Sequence, residues 1–231
     1  MSPEALLDPA RLERPDTVVQ RTPFPFLLAH GQLPAEARHD LERDYPAYAS
    51  AGFFPFAPAD CGPSITALVE QLTAPAFGRL IGAKLGIDGL DRYPTLVSLC
   101  RRMNRRHGTI HTDSDSKIAT VLLYLTPQWP DTSDGCFRLL SRPDDIDAVI
   151  APEMPPLYGE MAAFKRCDNS YHGHLPYEGE RRVIQVAWLV SEDAKQRKTR
   201  RGRLARLLKR LTGKLDTRYG AERDRNAAHR D

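Results

Sequence analysis

The sequence predicts a mostly β fold with flanking helices, its antiparallel sheets folded on themselves as a sandwich or jelly roll, with helical support at the N-terminal end. Three observations lead there. From Thr95 onward the chain breaks into short β-type runs, Thr95–Arg102, Lys117–Thr126, Cys136–Leu140, Glu160–Arg166 and Arg182–Val190, separated by clusters of Pro, Asp, Ser and Gly. No helical pattern alternates between these runs, which argues against the crossovers of a parallel α/β sheet. Nineteen Pro and fifteen Gly in 231 residues suit a turn-rich protein better than a helical bundle.

The elements before Thr95 follow from local signals. Phe24–Leu28 reads as a short strand, and Pro34–Tyr45, opened by proline and rich in Ala, Glu, Arg and Leu, as a helix. Pro63–Leu72 and Pro75–Leu85 carry apolar residues at threefold and fourfold spacing and stop at Pro or Gly, so both are predicted helices. The organisation that results is one domain over residues 1–190, with helical support over about 1–90 and a β core over about 95–190, followed by a separate tail over 191–231. A hydrophobic content of 41% is enough for one sizeable core and excludes disorder throughout.

Charge marks the same boundary. Residues 191–231 hold fourteen Lys and Arg against six Asp and Glu, although the whole chain is only +3, so the body is mildly acidic and the tail basic. Nucleic acid is therefore not an expected partner of the whole protein. Within the tail, Leu204, Leu207, Leu208, Leu211 and Leu215 form one stripe at helical spacing, with Arg203, Arg206, Lys209 and Arg210 on the other faces. Residues 196–215 thus read as a basic amphipathic helix, suited to the body, a second subunit or an anionic membrane surface. No apolar run reaches 18 residues and the start is acidic rather than basic and apolar, so a cytoplasmic protein is expected, with peripheral contact at the inner membrane surface through that tail. The four cysteines, Cys61, Cys100, Cys136 and Cys167, are far apart and form no CxxC, which predicts idle thiols rather than disulfides or zinc.

The chemistry concentrates in two stretches. His111 and Asp113 precede the run Lys117–Thr126, and in extended chain residues two apart point to one side, so an imidazole and a carboxylate there can grip one metal ion. The second stretch, Asn169–Trp188, supplies His172 after a short polar turn. Two His and one carboxylate on a β scaffold are the facial set typical of non-haem Fe(II). Ten residues after His172, Arg182 shares a strand face with Ile184, Val186 and Trp188. On an inward face, its guanidinium demands a fixed acid or an acidic ligand. Tyr124 stands on the face of Leu122 and Thr120. Arg181, on the opposite side of its strand, reads as a solvated surface residue.

These segments resemble, in order, the Fe(II)- and 2-oxoglutarate-dependent dioxygenase superfamily, in its prolyl-hydroxylase-like branch. HTDSDSKIATVLLYLTPQW from His111 is similar to that branch's first metal-binding segment. Asp134–Leu140 is similar to its Gly-containing strand, and Tyr158–Phe164 leads on to Ser170–Gly173 and Gly179–Gln185. The resemblance covers about Thr95–Val190. It implies a double-stranded β-helix, a cupin-like jelly roll, with His111, Asp113 and His172 as iron ligands. It also implies that Arg182 pairs with the distal carboxylate of 2-oxoglutarate, Tyr124 hydrogen-bonds it and Phe137 walls the pocket. The implied activity is hydroxylation of an unactivated C–H with Fe(II), 2-oxoglutarate and O2, releasing succinate and CO2, with ascorbate as a candidate reductant. Asp113 favours hydroxylation over halogenation, because the halogenating relatives have a small residue there.

Other readings attach to single residues. His174, two after His172, is a rival third ligand. His107 and His111 have the spacing of a zinc-protease helix, but Gly108–Ile110 is poor helix and the motif's glutamate is missing. Arg101, Arg102, Arg105 and Arg106 are either a solvated face or the lining of an anion-preferring mouth. Arg101 and Arg102 also stand where prolyl hydroxylases commonly have a tyrosine. A small-molecule or saccharide substrate fits the Arg-rich mouth and the membrane-like tail slightly better than a peptidyl proline does. The reading from another class is a non-catalytic, metal-holding jelly-roll binding module.

Overall fold

The computed structural model describes residues 5–212, and of residues 203 and 205–212 it describes the backbone only. Its architecture is mostly β. The strands are β1 (Val18–Gln20), β2 (Phe26–Ala29), β3 (Phe53–Pro55), β4 (Thr95–Met103), β5 (Lys117–Tyr124), β6 (Arg138–Leu139), β7 (Met161–Lys165), β8 (His172–Gly173) and β9 (Gly179–Leu189). The α-helices are α1 (Arg38–Asp44), α2 (Pro63–Thr73), α3 (Pro75–Leu85) and α4 (Glu192–Thr212). Seven strands form an antiparallel sheet in the order β1-β2-β7-β5-β9-β4-β3, and β6 pairs with β8 in a second, small sheet. Isolated bridges extend the small sheet, joining His111 to His172 and Phe137 to Met154. The two sheets enclose the interior of a double-stranded β-helix, as predicted.

The helices form because their apolar residues recur on one face. In α2, Ile65, Leu68, Val69 and Leu72 are all buried, and proline occupies the first turn, where its missing N–H costs nothing. Asp44, at the end of α1, accepts from the Ser64 N–H at 2.8 Å, and its side chain fills the space beside Gly62 that any β-carbon would need. In α3, Phe77, Ile81 and Leu85 are buried, and Gly86 at φ 67° reverses the chain.

The large sheet is buried on both faces, which controls the site. Its outer face, carrying Leu99, Val121, Leu123, Ile184, Val186 and Trp188, packs on α2 and α3. Its inner face, carrying Cys100, Leu122, Tyr124, Phe164 and Val183, meets Phe137 and Leu139 of the small-sheet side. Tyr45 follows α1 and secures the outer layer, its hydroxyl lying 2.7 Å from the Cys100 carbonyl and 2.8 Å from that of Val183.

The tail begins on the body. Ala194 is buried with Ala187 and Leu189, Lys198 Nζ donates to Ser114 Oγ at 2.9 Å, and Gly202 lies against the Pro55 ring. Leu204 is exposed. The rest of the leucine stripe and its basic flanks, including Leu215, lies outside the described side chains. No helix among the described residues is long and apolar enough to cross a membrane. Among the described residues no disulfide joins any of the four cysteines.

Tyr45→Phe should lower stability by about 1–3 kcal/mol, because it removes the donor from buried carbonyls. Urea denaturation checks this. An unchanged midpoint would mean that the hydroxyl does not hold the layers.

Candidate metal and co-substrate site

His111, Asp113 and His172 each offer a ligand atom, and these atoms lie within 4.8 Å of one another. Backbone pairing assembles them. His111 N–H donates to the His172 carbonyl (3.1 Å) and His172 N–H to the His111 carbonyl (3.0 Å), which brings the imidazole centroids to 4.4 Å. Each ring is then oriented through Nδ1, which lies 2.7 Å from the Thr109 carbonyl in His111 and 2.9 Å from the Ser170 carbonyl in His172. A carbonyl can only accept, so both Nδ1 atoms carry the proton and both Nε2 atoms present a lone pair.

Asp113 completes the donor set as a carboxylate. Thr120 donates to its Oδ2 at 2.5 Å and Lys117 Nζ lies 2.6 Å from its Oδ1. Burial acts to raise the carboxyl pKa, but opposing charge, that of the Lys117 ammonium foremost, outweighs it and holds the group well below the ordinary carboxylate range. The set of two imidazoles and one ionised carboxylate fits a divalent metal such as Fe(II). Lys117 and Thr120 were missed in the sequence, although both follow Asp113 on the adjoining strand and Thr120 shares the Tyr124 face.

The arginines correct the sequence reading. Arg182 does share a face with Ile184, Val186 and Trp188, but that face is the outer one. Its Nε donates to Glu180 (2.7 Å), its Nη1 to the Glu42 carbonyl (3.2 Å), and its guanidinium lies over the Tyr45 ring. The register pairs Tyr124 with Val183, an inner-face residue, and alternation then turns Arg181 inward. Arg181 is 3% exposed, not solvated. Its Nε donates to the Gly135 carbonyl (3.0 Å), its Nη2 to Tyr124 Oη (3.4 Å), and its guanidinium lies 5.1 Å from the Tyr124 ring centroid. Among the described residues no carboxylate lies within 4.0 Å of it. A guanidinium buried among neutral partners is suited in charge and shape to receive an anion.

Tyr124 faces the interior as expected. Burial, partly opposed by Arg181, pushes its hydroxyl up to about 12, so it remains a donor. Phe137 lies 5.8 Å from the His172 ring, and Phe164, which the sequence did not single out, packs closer at 4.3 Å. The rival readings are not supported by the geometry. His174 is buried but outside the cluster, its Nδ1 2.7 Å from the Leu175 carbonyl. His107 and His111 lie on a turn and an extended segment, not on one helix.

Two imidazoles are held neutral. Burial first, then the neighbouring His111 for His172 and Arg181 for His174, lowers each pKa to about 3 from the usual 6.5. A folded-state pKa below the unfolded one means that the unfolded chain binds more protons, so this stability is complete above about pH 6.5 and lost as the pH falls toward 3. The urea midpoint of the metal-free protein should therefore fall from about pH 6.5 to about 4.5, and less steeply in His174→Gln. A midpoint flat over that interval would contradict the assignment.

Comparison with known proteins agrees with this geometry. Residues 98–190 match the model of the 2OG-Fe(II) oxygenase superfamily, and that segment contains all three cluster residues, Tyr124, Phe137 and both arginines. None of the curated proteins matches. Similar solved structures include a Pseudomonas putida prolyl-4-hydroxylase (19% identity, 71% of this chain and 91% of that one, TM-score 0.46). Another is a Trichoplax adhaerens prolyl hydroxylase in complex with a hypoxia inducible factor peptide fragment (14% identity, 74% and 86%, TM-score 0.49). A third is a viral collagen prolyl hydroxylase from Paramecium Bursaria Chlorella virus-1 (16% identity, 72% and 89%, TM-score 0.49). Over residues 98–190, about two fifths of its length, the chain is thus similar to the 2OG-Fe(II) oxygenase superfamily.

Proposed function

We propose that the protein hydroxylates an unactivated C–H bond of a small molecule or saccharide, with His111, Asp113 and His172 as the iron ligands and Arg181 and Tyr124 as the anchor of 2-oxoglutarate. The observation that carries this reading is the buried Arg181, which has no acidic partner among the described residues, beside a cluster of two His and one Asp. Fe(II) held there would supply oxidation of the C–H bond by O2 while 2-oxoglutarate is converted to succinate and CO2.

The chain's own contribution is positioning. Carbonyls behind both imidazoles aim the Nε2 lone pairs, and Thr120 and Lys117 keep Asp113 ionised and fixed. The Arg181 fork and the Tyr124 hydroxyl offer charged and neutral donors to a distal carboxylate, which sets the direction in which the co-substrate lies. Phe137 and Phe164 line the His172 side with apolar surface and exclude water there. A binding module without catalysis would have no use for this second, anion-directed pair.

Purified protein given Fe(II), 2-oxoglutarate and O2 without a prime substrate should release succinate slowly. Asp113→Ala should abolish release, and Tyr124→Phe should raise the 2-oxoglutarate concentration needed by about ten- to a hundredfold, the loss of one hydrogen bond to a charged group. Succinate release that persists in Asp113→Ala would refute the ligand assignment.

A further inference from the structure

The end of β4 and the turn that leads to the ligand-bearing segment carry three arginines without an ion pair among the described residues. Arg102, Arg105 and Arg106 are exposed, and no carboxylate among the described residues lies within ion-pair distance of them. Arg101, beside them, is occupied: it reaches Glu180 at 3.4 Å and the Pro46 carbonyl at 3.3 Å. Like charges this close in sequence repel one another, and Glu180, opposite Arg102 in the register, is engaged by Arg101 and Arg182.

Hydrogen bonds place the turn at the site. His107 N–H closes it onto the Asn104 carbonyl (3.0 Å), and Arg106 N–H donates to Asn104 Oδ1 (3.1 Å). His174 N–H then donates to the Gly108 carbonyl (2.9 Å), two residues after His172. Gly108, at φ 84°, has the His174 ring where a β-carbon would stand, so the turn is pressed onto the strand that bears the ligand. Arg102 approaches from β4, and Tyr177 has both Arg102 and Arg181 as electrostatic neighbours. The basic turn therefore lies beside the strand that bears His172.

We propose that Arg102, Arg105 and Arg106 receive an anionic group of the prime substrate, a phosphate or a carboxylate, which makes that substrate a negatively charged small molecule or saccharide. This rests on the oxygenase reading above. Guanidinium forks match both groups in geometry, and three exposed ones also steer an anion toward the opening before contact.

The test is equilibrium binding of glucose, glucose 6-phosphate and glucuronic acid to protein loaded with Mn(II) and 2-oxoglutarate. At least one charged sugar should bind about tenfold or more tightly than glucose at low salt, and comparison of the two identifies phosphate or carboxylate as the preferred group. Arg105→Glu with Arg106→Glu should erase that preference, and Arg102→Glu should reduce it, while lysine at all three positions keeps most of it. Equal binding of the three sugars, no binding by any, or a preference that survives the glutamate variants would overturn the proposal. Substrate-free succinate release by the unmodified protein separates the two readings. Anion preference without succinate would fail the oxygenase reading alone, and succinate without anion preference would fail only this inference.

Discussion

A guanidinium buried without a carboxylate is expensive, by several kcal/mol, and Arg181 is held in that state by the sheet around it. The register between β5 and β9 leaves its side chain no outward path, and its described hydrogen-bond partners, the Gly135 carbonyl and the Tyr124 hydroxyl, are neutral. In the proposed reading that cost is offset when the carboxylate of 2-oxoglutarate enters. A binding site built this way is organised before its ligand arrives, so little ordering remains to oppose binding.

The large sheet separates two tasks. Its outer face buries Leu99, Val121, Ile184 and Trp188 against helices and carries most of the core, while its inner face presents Thr120, Tyr124 and Arg181 to the site. The small sheet supplies the opposite wall, where the bridge between His111 and His172 joins two of the proposed ligands, distant in sequence. Asp113 lies between these surfaces and is fixed by Lys117 and Thr120 from β5. The supports of Asp113 and the proposed anion anchor thus share the β5–β9 strand pair, which suits a reaction whose protein component is placement rather than covalent chemistry.

Much of this was legible in the sequence. The helices over α2 and α3 and the long strands β4, β5 and β9 follow from periodicity and turn residues, and the spacing of His111 and Asp113 follows from strand alternation. The short strands β1, β3 and β8 were not legible, because two to four residues carry too little pattern to show a period. The arginine error has a physical cause. Alternation correctly groups Arg182 with Ile184, Val186 and Trp188, but β9 is apolar on both faces, so composition does not say which one looks inward. Only pairing with β5 does so, and register between distant strands is a tertiary property. Lys117 and Thr120 were overlooked for a related reason: an ordinary strand residue gains its role only when a carboxylate from the preceding loop folds back onto it.

The central claim is that Arg181, not Arg182, anchors the co-substrate. Its most direct test is calorimetric titration of 2-oxoglutarate into Mn(II)-loaded protein, unmodified and as Arg181→Ala and Arg182→Ala. The account predicts that Arg181→Ala weakens binding by about a hundredfold or more, as expected when one partner of a buried charge pair is removed, and that Arg182→Ala changes it by only a few fold. The reverse order, or equal losses in the two variants, would contradict it.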